Sequence, residues 1–140
     1  MLISEKSCGE IISRIKTDKE IFCQGLFLSA RWFILSQVAS EGFHLVLLPD
    51  KESAEYCSSD LYNLTDGDEV FFLPASGQGV ERSNYKSSLG VQRTAAISRI
   101  MDGAGKLSII VTYPEALEET IPDLQTIRKS VLKIKVGDEI

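Results

Sequence analysis

The segment with the most chemical promise is Gly25-Leu26-Phe27-Leu28-Ser29-Ala30-Arg31-Trp32, which follows the short apolar run Ile21-Phe22-Cys23 and leads into a helical pattern. A phosphate-binding loop occupies that kind of place, between a strand and a helix, with the spacing G-x-x-x-x-G-K-[ST]. Its glycines let backbone N–H groups wrap the phosphates, its lysine reaches the terminal phosphates, and its hydroxyl holds magnesium. Gly25 supplies the first position. Ala30 stands where the second glycine belongs, Arg31 where the lysine belongs, and Trp32 where the hydroxyl belongs. With those groups replaced, the residues read as a packed strand-to-helix turn, and none of Gly25, Ser29, Ala30, Arg31 or Trp32 is expected to hold a nucleotide.

Other positions compete for chemistry and yield to simpler roles. Asp50 follows an apolar run, where dinucleotide folds place a ribose-binding acid, but no G-x-G-x-x-G precedes it. A helix N-cap is the better reading. A phospho-acceptor role for Asp50 fails too, because no acidic pair follows the first strand. Thr112-Tyr113-Pro114-Glu115 ends another apolar run, where α/β sheets hold ligands. The same residues make a helix start, with Pro114 in the first turn and Glu115, Glu118 and Glu119 near the positive end of the dipole. Arg82, Lys86, Arg93 and Arg99 are a candidate weak phosphate-facing patch, although such residues are more often solvated or paired with acids. No G-x-S-x-G elbow occurs, so no catalytic residue is assigned. Cys8, Cys23 and Cys57 have no C-x-x-C spacing and His44 is the sole histidine. Reduced thiols are therefore expected, with Cys23 and Cys57 as small core residues and no metal site.

The elements that must position these residues follow from periodicity. Ile11, Ile12 and Ile15 mark an amphipathic helix over 4–18, and Ile21–Leu26 reads as a buried first strand. Ser29 is placed to cap a helix from Ala30 to about Ala39, with Ala30, Phe33, Ile34 and Val38 on one face and Gly42 as its stop. Phe43–Leu48 is continuously apolar apart from His44, as in a strand covered on both faces. A helix from Pro49-Asp50 buries Ala54, Cys57, Leu61 and Leu64, and Glu69–Leu73 forms a third strand after the Asp66-Gly67-Asp68 turn. Residues 75–88 read as a long exposed loop. A helix from about Leu89 to Met101 buries Leu89, Ala96, Ile97 and Ile100, closed by Gly103 and Gly105. Leu107–Thr112 is a fourth strand. Alternating helices and doubly covered strands predict an α/β sandwich with a mostly parallel sheet. Beyond Pro114 and Pro122, Val131–Val136 alternates apolar and polar residues, a one-sided strand that reads as the start of a link to a further domain.

The whole-chain quantities bound the answer. At 140 residues and 44% hydrophobic content the chain suits one domain, set here as 1–130 with 131–140 leading onward. A net charge of −5 with a pI near 4.9 argues against strong nucleic-acid binding by this chain alone, since phosphate contact needs displaced counterions. No apolar run of signal or membrane-span length occurs, so a cytoplasmic location without a membrane partner is expected.

Several short blocks, taken in order, resemble one family. They are Gly25-Leu26 with Ser29-Ala30-Arg31, then Leu47-Leu48-Pro49-Asp50-Lys51-Glu52-Ser53-Ala54, Phe71-Phe72-Leu73-Pro74 and Gln92-Arg93-Thr94. Ile110 to Leu117 and Leu132 to Glu139 complete the set. From about residue 20 onward this resembles the N-terminal, UvrB-like region of bacterial transcription-repair coupling factors (Mfd), Bacteroidetes-type. The resemblance implies a three-layer RecA-like, P-loop-type sandwich with a decayed nucleotide loop, followed by a UvrA-contacting domain of which only the start is present. It further implies a parent that is an ATP- and magnesium-dependent DNA translocase, which removes stalled RNA polymerase and recruits UvrA for nucleotide excision repair. For this chain it implies a scaffold without cofactor or catalysis, meeting UvrA mainly through the next domain, and RNA polymerase and DNA through others. The UvrB loop is similar to G-V-T-G-S-G-K-T, and this sequence departs from it at the catalytic positions. The competing readings are a nucleotide-binding enzyme that uses the altered loop, and a free-standing α/β nucleotide- or ligand-binding domain.

Overall fold

The computed structural model describes residues 5–15, 17–39, 42–65, 67–76, 84–103, 106–121 and 125–127. Among them the order is α1 (Glu5–Ile15), α2 (Ala30–Val38), β1 (Phe43–Leu47), α3 (Lys51–Leu64), β2 (Val70–Phe72), α4 (Asn84–Asp102), β3 (Ser108–Thr112) and α5 (Pro114–Glu118). The strands form one parallel sheet in the order β1-β3-β2, so the last strand lies between the first two. This is a mixed α/β fold with an all-parallel sheet.

The centre of the sheet dictates the rest. Ser-Ile-Ile-Val-Thr is rich in β-branched residues, which favour a pleated backbone packed on both sides. Its side chains part to two faces. Ile109 and Val111 join Trp32 of α2, Ala54, Cys57 and Leu61 of α3, and Phe72 of β2. Ile110 joins Leu73 and Ala96, with Phe71 and Ile97 packed alongside. Full burial of each such aliphatic side chain contributes about 1.5–3 kcal/mol. Thr112 and Ser108, the polar ends of the strand, are buried with their hydroxyls bonded to Leu73 O and Lys106 O.

α3 begins as its sequence requires. Asp50 is extended and its carboxylate accepts from Ser53 N at 2.8 Å, a side-chain cap worth about 1 kcal/mol. The buried side is Ala54, Cys57 and Leu61, while Leu64 is exposed. Gly67 then turns the chain at φ +80°, a conformation that favours glycine, and a Cβ there would meet the ring of the exposed Tyr62 at 2.7 Å and push it aside. α5 starts at Pro114 in its first turn.

Several expectations are corrected. Residues 20–27 have no regular secondary structure; Ile21–Leu26 is not a strand, Phe22 is exposed, and Cys23 is an exposed thiol rather than a core residue. Among the described residues no strand pairs with this apolar run. α2 spans Ala30–Val38, close to the expected range, but it buries Trp32 and Ile34, leaves Phe33 exposed, and its cap is Ala39 and not Gly42. β1 is not covered on both faces: Phe43, Leu45 and Leu47 are exposed. α4 starts at Asn84, inside the segment expected as loop, and Ile100 near its end is exposed. The rest of that loop (77–83), Pro122 and residues 128–140, including the expected terminal strand, lie outside the described residues.

Candidate functional site

The degenerate phosphate loop is not framed as such loops are. Without a strand before it, Gly25 (φ +79°) sits in exposed chain with no atom within 4 Å of where a Cβ would stand. Leu28 takes φ 49°, a left-handed conformation uncommon for a bulky residue, just ahead of α2. Ser29 does not cap α2. It is itself helical, and its hydroxyl donates to Asp60 Oδ2 of α3 at 2.6 Å. The amide of Ala30 is bonded to Phe27 O, and those of Trp32 and Phe33 to Ser29 O. Those three N–H groups are thereby spent within the turn. Trp32, at the position of the magnesium-holding hydroxyl, is in the core, and the exposed Arg31 guanidinium lies 4.4 Å over its ring. A cation on an indole face is held by the ring quadrupole and shields the apolar edge beneath it. The arrangement closes a helix–helix contact.

The second place to look is outside the carboxyl ends of the strands, where open parallel sheets bind ligands. Here the chain's own groups fill that region. Tyr113 is buried, its ring stacked 6.2 Å from Phe72, and its hydroxyl accepts from Ala75 N at 2.9 Å. Thr112 Oγ1 donates to Leu73 O at 2.9 Å. Arg93 reaches in from α4, donating through Nη1 to Pro74 O (2.6 Å) and Ala116 O (3.4 Å), and its Nη2 lies 3.2 Å from Glu119 Oε2. The Glu119 carboxylate also accepts from Ser76 N (2.8 and 2.9 Å) and Ser76 Oγ (3.0 Å). One buried cation thus joins the exit of β2, α4 and α5. Asp50, at the end of β1, is spent on Ser53, whose hydroxyl it also accepts at 3.1 Å.

Of the four basic residues singled out in the sequence, Arg93 and Arg99 are engaged in internal bonds. Arg93 is buried in the network above. Arg99 Nε donates to Ser108 Oγ (2.6 Å) and its Nη2 to Lys106 O (3.0 Å), which ties α4 to the start of β3. Arg82 and the side chain of Lys86 lie outside the described residues. Sequence reasoning missed Glu119 and Ser76 as partners of Arg93, although one signal was present. Arg93 falls four residues after Leu89 and three before Ala96, on the buried stripe of its helix, where a cation must find acceptors.

One thiol is chemically distinct. Cys57 is packed in the core, and burial pushes it up to about 12, outweighing the nearby Arg31 charge that favours the thiolate. It is a poor nucleophile in the folded chain. Asp18 is held below the usual carboxylate range by its hydrogen bond from Arg14 Nε at 2.8 Å, on an exposed surface.

Compared with family models, with curated proteins and with solved structures, the chain matches none. No helix among the described residues is long and apolar enough to cross a membrane.

Proposed function

We propose that this chain is a scaffold module of a transcription-repair coupling factor, a degenerate RecA-like domain that positions neighbouring domains and does not bind nucleotide. The observation that carries the non-nucleotide part is Trp32. It occupies the position of the magnesium-binding hydroxyl and is packed in the core, and the amides of Ala30, Trp32 and Phe33 are bonded within the turn. A loop built this way lacks the metal ligand at that position and has part of its N–H cradle spent. The Arg93–Glu119–Ser76 network supports the scaffold part, because it fills the ligand-binding end of the sheet with fixed internal bonds. The family assignment rests on the ordered blocks of sequence, and with it the parent's ATP-driven translocation, its removal of stalled RNA polymerase and its recruitment of UvrA.

Titration of fluorescent ATP with magnesium into the purified chain tests the first part. No saturable binding is expected; saturable binding weakened by Arg31→Ala would overturn it in favour of an altered but working nucleotide loop. Immunoblotting of source-cell lysate tests the second part. A band several times larger than 15.5 kDa is expected, and a band at 15.5 kDa would favour a free-standing domain.

A further inference from the structure

We propose that the groove between α1 and α2 binds a free medium-chain fatty acid, with its carboxylate on Arg31 and its alkyl tail along α2. The groove holds about 420 Å³, within the roughly 300–1,000 Å³ of small-molecule sites. Ile11 and Ile15 of α1 line one side, Ile34, Leu35 and Val38 of α2 line the other, and Leu26 belongs to the stretch that links them. The packing between the two helices is unfinished: Ile15 is 46% exposed, and Leu35 and Val38 are only half-buried.

Charge selects the occupant. The charged side chains in the wall of the groove are Asp18, Lys19 and Arg31. Asp18 is already neutralised by Arg14 at 2.8 Å, whereas no ion pair among the described residues uses Lys19 or Arg31. Two uncompensated cations thus stand beside an apolar trough, in a chain whose net charge is −5. An anionic head with an apolar tail meets both demands, and a cationic head does not. Arg31 is the stronger anchor. Its guanidinium is held 4.4 Å over the Trp32 ring, and its fork of N–H donors matches both oxygens of a carboxylate. Lys19 adds a point charge. α2 then sets the length of the tail. Ile34, Leu35 and Val38 follow Arg31 at i+3, i+4 and i+7, one stripe of the helix that rises about 10 Å from the head. The tail of decanoate spans such a stripe. The exposed thiol of Cys23 lies in the same wall and reports on occupancy. This inference goes beyond the scaffold reading and stands or falls separately from it.

Calorimetric titration of decanoate, below its micelle concentration, into the full chain tests this, with hexanoate and decyltrimethylammonium for comparison. Decanoate is expected to bind saturably and at least about tenfold more tightly than hexanoate, because each extra methylene adds about twofold when half-buried. Decyltrimethylammonium, with the same tail and the opposite head, is expected not to saturate. Over the same concentration range decanoate should slow the alkylation of Cys23 by a neutral reagent, which places it in this groove. Arg31→Gln, at an exposed side chain, is expected to weaken decanoate at least about fivefold. The absence of saturable decanoate binding overturns the proposal. So does binding indifferent to head charge or to Arg31→Gln, and so does binding that leaves Cys23 alkylation unchanged. Capture by anionic vesicles without binding of the monomeric acid would assign the groove to a lipid surface and overturns it equally. If Arg31→Gln does not fold, the tail and head series in the unaltered chain decides, together with Cys23 protection.

Discussion

β1 and β3 lie side by side in register, five residues each and almost equally apolar, yet they live in different surroundings. Every residue of β3 is buried, with Ile109 and Val111 at 0% exposure, whereas Leu45, which pairs with Ile110, is 64% exposed. The difference is position. β3 has a strand on each side, α2 and α3 on one face, and α4 on the other. β1 has β3 on one side, and Val46 alone packs toward the main core. Apolar content therefore states a demand for burial, and the order of strands decides which demands are met.

Substitutions can break or sharpen that contrast. The largest effect is expected from Ile109→Ala, which empties a site in the centre of the core; urea unfolding should show a loss of about 2–5 kcal/mol. Next comes Arg93→Ala, which leaves Glu119 beside the exit of β2 without its cation and frees Pro74 O. The expected loss is about 2–3 kcal/mol by the same measurement, against which a solvated patch residue would register almost nothing.

A smaller, pH-limited effect belongs to Cys57. Its folded value is raised above that of the unfolded thiol, so its contribution is complete below the ordinary thiol range and is lost as pH rises toward about 12. The alkaline limb of a stability–pH curve should accordingly fall less steeply in Cys57→Ala than in the parent. In the native state at mild alkaline pH, an alkylating reagent should label Cys23 and spare Cys57. The smallest effect is expected from Leu45→Ser, within about 0.5 kcal/mol of the parent in dilute solution, because the side chain has little packing to lose. A loss as large as that of Ile109→Ala would dissolve the contrast between the strands.

Much of the fold was legible from local pattern. The β-branched run at 108–112, the Asp50 cap, the buried stripe of Ala54, Cys57 and Leu61, and the proline start at 114 all depend on neighbours in sequence. What was not legible depends on neighbours in space. Among the described residues, Ile21–Leu26 has the apolar character of a strand but no partner, and Phe43–Leu48 has the character of a central strand but lies at an edge. Ser29 had the right type for a cap and instead found Asp60, thirty-one residues away. At the candidate site the missing phosphate-loop groups could be read directly from residue identity. The burial of Trp32 and the Arg93–Glu119 pair could not, since both depend on how helices meet.

The strand order also sets a schedule. β3 is the last of the three to be made, yet it must enter between the first two. Phe72 leaves the ribosome roughly 40 residues ahead of Thr112, a wait of roughly 2–8 s at ordinary synthesis rates. Throughout that interval β1 and β2 both lack their common neighbour. The nascent chain is thus most vulnerable to wrong pairing just before its middle strand arrives, and slower translation across 73–112 would lengthen that exposure.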